Sequence, residues 1–368
     1  SAQGRLEEIP SVLEAPIRKL KEAATTFVQL ISADDEIIDP DENAERARVK
    51  GAVQEIATTA GKLLKMGDEH VLWYEPTFST LHLAPLSVSH VLRSNLLTKT
   101  PVIATSATLT VGNNFDAMAR SIGFVVGSDV NEDSGDGDID PANVQMLDVG
   151  SPFDFANQGV LYMPKHLPEP GRDGPSQAVL DELGELIDAA GGRTLALFSS
   201  WRGVEAADAH LRSVLVDLPI SIITQKRGDA VGPLVERFAK DETSILLGTM
   251  SLWQGVDVPG NSCILVAIDR IPFPRPDEPV MSARSSLADA SGGSGFMQVS
   301  VPRAALLLAQ GAGRLIRSID DRGVVAILDS RIVTKRYGSV ILNSMPPLWR
   351  TSDGAVVRDS LKRLRETL

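Results

Sequence analysis

Apolar residues in the first 70 positions recur at intervals of three and four, a spacing that places them along one side of a helix. Two such series occur, and the segment 39–41, Asp-Pro-Asp, separates them with residues typical of a turn. The pattern predicts a helical hairpin held together by core packing. Its members are Leu13, Ile17, Leu20, Ala24, Phe27 and Ile31 in the first series and Val49, Val53, Ile56, Ala60 and Leu63 in the second.

From about residue 151 the pattern changes to short apolar runs of strand length that alternate with amphipathic stretches. This alternation predicts a doubly wound α/β domain with a mainly parallel sheet. Between the two regions, 87–97 and 115–122 are predicted helices, 102–104 is a predicted buried strand, and the acidic stretch 129–140 is typical of a flexible linker. The predicted strands of the α/β domain are 159–163, 194–198, 220–224, 244–247, 263–268 and 323–328, and its predicted helices are 178–190, 204–214, 231–239 and 302–318.

Small polar residues follow three of the predicted strands. In an open parallel sheet, ligands bind beyond the carboxyl ends of the strands. The sequence therefore predicts a binding site at that edge of the sheet. The residues concerned are Ser106 and Thr108 after the run 102–104, Ser199 and Ser200 after 194–198, and Thr249, Gly255 and Asp257 after 244–247.

Residues 310–317 read Gln-Gly-Ala-Gly-Arg-Leu-Ile-Arg and lie in the last predicted helix. Helical spacing would place Gln310, Arg314 and Arg317 at i, i+4 and i+7, on one stripe. Guanidinium groups are permanently charged and fork-shaped, which suits phosphate oxygens. Gly313 leaves the backbone bare, so a ligand can approach it closely. The alternative is a solvated helix face that happens to carry two arginines.

These segments, in this order, resemble the motifs of the superfamily-two helicases of the DinG and XPD type, and those of the DinG branch most closely. The resemblance covers about residues 80–345. It is specific because the order and spacing of several motifs agree. One departure is Gln254, which stands where the family usually has Glu. The matching segments are 105–109 (motif III), 198–201 (motif IV), 248–257 (motif V) and 310–317 (motif VI), with connecting segments at 151–154, 269–274 and 335–338.

The resemblance implies a RecA-like fold and a division of the chain into three parts. Residues 1–70 would be the tail of an arch-type helical insertion, 71–150 a remnant of the first motor domain with motif III and the acidic linker, and 151–368 the second RecA-like motor domain. The implied function is ATP-dependent unwinding of DNA, in repair or replication, with single-stranded DNA and duplex junctions as partners. The alternative is a catalytically silent helicase-like module that binds nucleic acid or protein.

The same resemblance implies roles for the motif residues in catalysis, nucleotide binding, coupling and DNA binding. Trp201 has two interpretations, stacking on a base or packing against the helix that follows it. The implied catalytic residues are Gln310, Arg314 and Arg317, the nucleotide-binding residues Gly255, Asp257 and Gly313, the coupling residues Ser106 and Thr108, and the nucleic-acid-binding residues Ser199, Ser200, Trp201 and Thr249.

A P-loop, Gly-x-x-x-x-Gly-Lys followed by Ser or Thr, does not occur in the 368 residues. The Gly61-Lys62 pair is followed by Leu63, and Asp68-Glu69-His70 lacks the alanine of a DEAH box and the apolar strand before it. ATP and Mg²⁺ are therefore expected to be held mainly by the N-terminal half of a longer parent, whose first motor domain becomes an expected partner. The chain alone is expected to have no ATPase activity.

Charge is unevenly distributed along the chain. The net charge is −12, yet residues 301–368 hold twelve Lys or Arg against six Asp or Glu, a net of +6 that leaves −18 for the rest. No apolar run is long enough to span a bilayer and no leader pattern opens the chain, so a cytoplasmic location without a membrane partner is expected. Cys263, a lone cysteine, is expected to be a buried inert thiol. No metal site is expected in this chain, and an iron–sulfur cluster of the parent would need cysteines elsewhere.

Overall fold

The computed structural model of the 368-residue chain describes residues 4–33, 40–106, 108–110, 114–126, 144–250, 252 and 262–367. Contacts divide the chain into two compact units, residues 1–90 with 275–295, and residues 91–274 with 296–368. Gln254, Gly255, Asp257 and the acidic stretch 129–140 lie outside the described residues.

Regular structure begins near the N-terminus and continues to the end of the described chain. The strands are β1 (Arg5–Leu6), β2 (His70–Glu75), β3 (Thr80–Pro85), β4 (Gly159–Tyr162), β5 (Thr194–Phe198), β6 (Ser221–Thr224), β7 (Ser244–Thr249), β8 (Leu265–Ile268), β9 (Gly323–Ile327) and β10 (Trp349–Thr351). The α-helices are α1 (Ser11–Ala33), α2 (Pro40–Leu64), α3 (Ser89–Leu92), α4 (Asp116–Ser121), α5 (Phe155–Gln158), α6 (Gln177–Ala190), α7 (Trp201–Val214), α8 (Val231–Lys240), α9 (Pro279–Ala290), α10 (Val301–Ala312), α11 (Arg331–Thr334), α12 (Tyr337–Asn343) and α13 (Gly354–Thr367). A short 3₁₀ helix spans Pro76–Phe78, and π-helical turns span Arg93–Leu97 and Phe296–Ser300.

The first unit combines a small antiparallel sheet with the helical hairpin. β2 lies between β1 and β3, and α1 packs along α2. Among the described residues of the two helices, the buried apolar side chains are the small Ala24, Ala57 and Ala60. Larger members of the predicted apolar series stay half exposed, Leu20 at 52% and Ile56 at 45%. The helices lie where the spacing predicts them, but fewer and smaller apolar side chains are buried between them than the spacing suggests.

The second unit is built on a seven-stranded sheet whose order is β10-β4-β9-β8-β5-β7-β6. Every neighbouring pair is parallel. Parallel strands need crossover connections, and described helices lie in those from β4 to β5, β5 to β6, β6 to β7, β8 to β9 and β9 to β10. The predicted α/β class, a doubly wound and mainly parallel sheet, is confirmed.

Both faces of this sheet are covered, so successive residues of each strand enter opposite cores. Along β5, Leu195 and Leu197 pack into the core formed with α8, α10 and α12, whereas Ala196 and Phe198 pack into the core formed with α6, α7 and α13. This double burial explains why the strands read as continuous apolar runs. It also leaves the ends of the strands as the places where polar side chains meet solvent.

The predicted buried strand at 102–104 is wrong. Residues 101–106 adopt no regular structure, and the Ile103 side chain is 91% exposed. A strand persists only where neighbouring backbone groups satisfy its N–H and C=O groups. Among the described residues, no strand lies beside this run to supply them.

Candidate functional site

Five neighbouring strands of the large sheet, in the order β9-β8-β5-β7-β6, end at polar side chains. Because the strands are parallel, these side chains lie along the same edge of the sheet. This sheet edge is the candidate site. Its residues are, strand by strand, Asp329, Asp269, Ser199, Thr249 and Gln225.

Ser199 is bonded to Asp269 through both its backbone and its side chain. The Ser199 N–H donates to Oδ1 at 3.0 Å, and its hydroxyl lies 3.3 Å from Oδ2. The guanidinium of Arg270 also donates to Oδ2, at 3.1 Å. Burial raises the pKa of Asp269 to about 6, against the opposing effects of Arg270 and Ser199. The predicted phosphate role of Ser199 therefore concerns a hydroxyl that already has a carboxylate partner.

Ser200 forms the N-cap of α7. Its backbone is extended, and its hydroxyl accepts the N–H of Gly203 at 3.1 Å. Capping by a serine side chain satisfies one of the N–H groups that a helix leaves open at its start. The remaining N–H groups of this first turn make the start of α7 electropositive, and they lie beside the sheet edge.

Trp201, the first residue of α7, is half-buried. The guanidinium carbon of Arg227 lies 5.6 Å from the centre of its ring. Arg227 stands two residues beyond Gln225, in the loop that follows β6. The sequence pattern does not reveal this contact, because Trp201 begins the helix after β5 and Arg227 lies in the loop after β6.

Thr249 is held by Gln225. The Gln225 amide oxygen accepts the Thr249 N–H at 2.9 Å and its hydroxyl at 3.3 Å. The Gln225 side chain is buried although it follows the edge strand β6. At Gly248 a Cβ atom would lie 2.7 Å from that amide oxygen, so a glycine is needed beside it. Sequence analysis missed Gln225, although it carries the same signal as the others, a polar residue directly after an apolar strand.

The prediction that Gln310, Arg314 and Arg317 share one helical stripe is wrong. α10 ends at Ala312, so Gln310 lies on the helix, Arg314 in the following turn and Arg317 beyond it. Gly313 lies at the C-cap, its N–H bonded to the Ala309 carbonyl at 2.9 Å. The helix predicted over 302–318 is therefore shorter than its apolar period suggests.

Contacts from outside the helix end it there. Leu315 and Ile316 turn into the core and are each 3% exposed. The Asp321 carboxylate then accepts the N–H groups of Arg317 and Ser318, both at 2.7 Å. Glycine also lowers helix propensity by about 1 kcal/mol relative to alanine. Both arginines are half-buried, so their position near the end of α10 is retained while their common stripe is not.

Ser106 and Thr108 form a local turn. Their hydroxyl oxygens lie 3.2 Å apart, and the Thr108 N–H donates to the Ser106 hydroxyl at 3.2 Å. This geometry leaves the coupling role of the pair a prediction. Gly255 and Asp257, predicted to bind nucleotide, lie outside the described residues.

Cys263 is buried and reduced, and burial raises the pKa of its thiol to about 12. Such a thiol stays protonated and unreactive near neutral pH. Among the described residues, no group of three or more His, Cys, Asp or Glu side chains is placed to hold a metal ion. In the same part of the chain, no helix combines the length and apolar character needed to cross a membrane.

Comparison with known proteins places this geometry in a class. Residues 183–348 match the family model of the helicase C-terminal domain. An S. tokodaii Xpd structure superposes with a TM-score of 0.53 over 94% of this chain and 61% of its own, at 14% identity, which supports the fold alone. The sheet edge and the end of α10 therefore belong to a RecA-like helicase C-terminal domain.

Three curated relatives are more specific. The ATP-dependent helicase DinG of Mycobacterium tuberculosis is 48% identical over 297 residues, 80% of this chain and 42% of that protein. The ATP-dependent DNA helicase YoaA of Escherichia coli is 34% identical over 76% of this chain and 41% of its own length. The 3'-5' exonuclease DinG of Bacillus subtilis is 30% identical over 76% of this chain and 30% of its own. The chain belongs to the helicases of the DinG and XPD type and carries their C-terminal portion, spanning about two fifths of the first relatives' length.

Proposed function

We propose that this chain is the C-terminal portion of an ATP-dependent DNA helicase that couples ATP hydrolysis to movement on single-stranded DNA and to duplex unwinding. The parent would act in the cytoplasm, in DNA repair or replication. The observation that carries the proposal is the arrangement of one RecA-like sheet, with polar groups along its carboxyl edge and two arginines, Arg314 and Arg317, directly after α10.

The end of α10 would supply the catalytic cations. Arg314 and Arg317 would act as arginine fingers on ATP held by the first motor domain, and Gln310 would contact the nucleotide beside them. Two guanidinium groups and an amide fit phosphate oxygens, and the bare backbone at Gly313 gives the phosphates room. Gly255 and Asp257 would complete the nucleotide side.

Magnesium would be held elsewhere, because among the described residues no cluster of carboxylates is placed to hold a metal ion. We propose that ATP and Mg²⁺ are bound mainly by the N-terminal half of the parent, in which the P-loop and the carboxylate pair would lie. An iron–sulfur cluster, if the parent holds one, would use cysteines of that half, since the chain has one cysteine and it is buried.

The sheet edge would form the DNA side. Ser199, Ser200 and Thr249 would position backbone phosphates without reading the sequence. The Ser200 hydroxyl can donate to a phosphate oxygen while it caps α7, whereas the hydroxyls of Ser199 and Thr249 would first exchange their bonds to Asp269 and Gln225 for the phosphate. Trp201 would stack on a base. Ser106 and Thr108 would couple the nucleotide site to the strand.

Charge and chain organisation support the same proposal. The net charge of +6 in residues 301–368 favours binding of a polyanion such as DNA, although the whole chain is acidic. In the proposed organisation, 1–70 is the tail of an arch-type insertion, 71–150 a remnant of the first motor domain, and 151–368 the second motor domain.

The purified chain tests the proposal directly. Phosphate release from ATP should stay at background with or without a single-stranded oligonucleotide, since positioning of the γ-phosphate would depend on the parent's other half. Fluorescence anisotropy should reveal weak, sequence-independent binding of the oligonucleotide that falls steeply as salt rises. DNA-stimulated hydrolysis by the chain alone would reveal an overlooked nucleotide site. Salt-insensitive binding, or none, would favour a protein-interaction module instead.

A further inference from the structure

We propose that Arg227 and Trp201 together form a binding site for one nucleotide of single-stranded DNA, in which the indole stacks on the base and the guanidinium binds the phosphate of the same nucleotide. The inference rests on the proposed DNA-binding function and adds Arg227 to it. In the structure, the guanidinium lies over the ring on which the base would stack.

The fold brings the two residues together across a strand. Trp201 follows β5 and Arg227 follows β6, and these strands are separated in the sheet by β7. The contact of 5.6 Å between guanidinium and ring therefore spans the sheet edge in the region where β7 ends at Thr249. A strand of DNA that follows the sheet edge would meet both side chains.

Trp201 is placed for binding more than for packing. Its ring is half-buried, and neither apolar core of the second unit includes it among the described residues. A tryptophan that packed against the following helix would join the core on that face, as Val204 and Leu211 of α7 do. Of the two interpretations that the sequence leaves open, the geometry favours stacking.

The charge of Arg227 is available to a phosphate. Its side chain is exposed, and within the described part of the chain it forms no ion pair. The nearby carboxylates have other partners, since Asp229 accepts the N–H of Lys226 at 2.8 Å and Asp208 pairs with Arg212 at 2.9 Å. An exposed cation–π contact is weak, so a base can displace the guanidinium from the ring at small cost.

Displacement would move the cation to where it is needed. Once the base covers the indole, the guanidinium can turn toward the phosphate of the same nucleotide and bind it through its fork of N–H groups. The exposed Lys226 offsets the charge of Asp229, so the loop keeps a net positive charge. Base stacking is tolerant of sequence, so the site would hold any single strand.

The phosphate contact of Arg227 and the stacking contact of Trp201 can be tested separately. The measurement is a fluorescence anisotropy titration of the whole chain with a short labelled oligonucleotide, repeated across a salt series. Arg227→Ala should reduce the magnitude of the slope of log affinity against log salt by about 0.7, the value expected for one phosphate contact on a single strand. Arg227→Lys should keep the slope, because the charge remains. Arg237→Ala, which removes an exposed arginine from α8, is the matched control and should leave the slope unchanged.

The stacking contact is tested at Trp201. Trp201→Ala should weaken binding about 5- to 150-fold and Trp201→Phe much less, as expected for one lost stacking contact. On an oligonucleotide with abasic sites, wild type and Trp201→Ala should bind alike. The abasic comparison in wild type alone should also reveal weaker binding, which keeps the test valid if the alanine variant fails to fold.

The outcomes separate the two proposals. A wild-type chain that binds no single strand overturns both this inference and the proposed function. A wild-type chain that binds, with Arg227→Ala matching Arg237→Ala, or with Trp201→Ala equally weakened on normal and abasic strands, overturns this inference alone.

Discussion

Arg331 holds Asp329 in a fork of two charge-assisted hydrogen bonds, from Nε to Oδ1 at 2.9 Å and from Nη2 to Oδ2 at 2.7 Å. The Asp329 side chain is fully buried, and its Oδ2 also accepts the N–H of Ile271 at 2.9 Å. The carboxylate raises the pKa of Arg331 through these hydrogen bonds. The guanidinium in turn lies over the ring of Phe273, 5.7 Å from its centre. The Ile271 N–H and the Phe273 ring thus tie the loop that follows β8 to an ion pair in the segment that follows β9.

Removing one partner of this buried pair should destabilise the second unit strongly. Arg331→Ala leaves a buried carboxylate without its cation, and we expect a loss of about 3–5 kcal/mol in the free energy of unfolding. Arg331→Lys keeps the charge but loses the fork, so its loss should be smaller. Urea unfolding followed by circular dichroism measures both.

Arg212→Ala is the matched control, because it breaks an ion pair between residues of α7 that is more exposed. Its loss should stay below about 1 kcal/mol. Equal losses for Arg331→Ala and Arg212→Ala would mean that the fork on Asp329 contributes no more than an ordinary surface pair.

Asp269 should make stability depend on pH in an uncommon direction. Burial raises its pKa to about 6, whereas an unfolded aspartate titrates near 3.9. Between these values the folded state holds a proton that the unfolded state has lost, so stability is full below about pH 4 and falls as pH rises through about 6, by roughly 2–3 kcal/mol in all.

Asp269→Asn removes this titration while keeping one hydrogen-bond acceptor for Ser199. Urea denaturation from pH 4 to pH 8 measures the free energy of unfolding of both proteins. As pH rises, the wild type should lose stability relative to Asp269→Asn. A difference that stays constant over this range would show that Asp269 titrates normally.

The strands of the RecA-like domain could be predicted closely because both of their faces are buried. Thr194–Phe198 is predicted and observed with the same bounds, since its four apolar residues, 195–198, fill two cores in alternation. The run 102–104 has the same local character, yet it forms no strand because strand formation depends on a neighbour that a local window cannot reveal.

Most residues of the candidate site could be predicted one by one from the sequence, but their positions relative to one another could not. The period of Gln310, Arg314 and Arg317 fits a helix, whereas the end of α10 depends on Asp321, which accepts N–H groups from the loop. The Arg227 contact depends on sheet order, which places β7 between two strands that are nearer in sequence. Short-range patterns carry neither kind of information.

Gly248→Ala should disturb the Thr249 anchor. The added Cβ would lie 2.7 Å from the Gln225 amide oxygen and would also collide with the side chain of Leu252, which is fully buried. Overpacking of this kind costs about 1–3 kcal/mol. Because Gln225 must move, we also expect weaker binding of single-stranded DNA, measured by anisotropy beside urea unfolding.

Gly232→Ala provides the opposite case. Gly232 lies in α8, and apart from its chain neighbours and the backbone of its own helix no atom lies within 4 Å of an added Cβ. Alanine should therefore stabilise the helix by up to about 1 kcal/mol and leave DNA binding unchanged. If both variants behaved alike, the close approach of Gln225 to Gly248 would have no energetic consequence.

Arg314 and Arg317 are best tested in the longer parent, where the proposed nucleotide site would be complete. An arginine finger acts mainly on charge that develops in the transition state, so Arg314→Ala or Arg317→Ala should lower DNA-stimulated ATP turnover by about 10³-fold or more while changing ATP affinity little. Steady-state phosphate release gives the turnover, and titration with a fluorescent nucleotide analogue gives the affinity. Arg363→Ala, which removes an exposed arginine from α13, is the control and should turn over like wild type.

Because Arg314 and Arg317 do not share a helical stripe, their contributions to catalysis can differ. A variant with full turnover would remove that arginine from the catalytic assignment. If both variants turned over like Arg363→Ala, the end of α10 would have no catalytic role, and a silent helicase-like module would become the better interpretation.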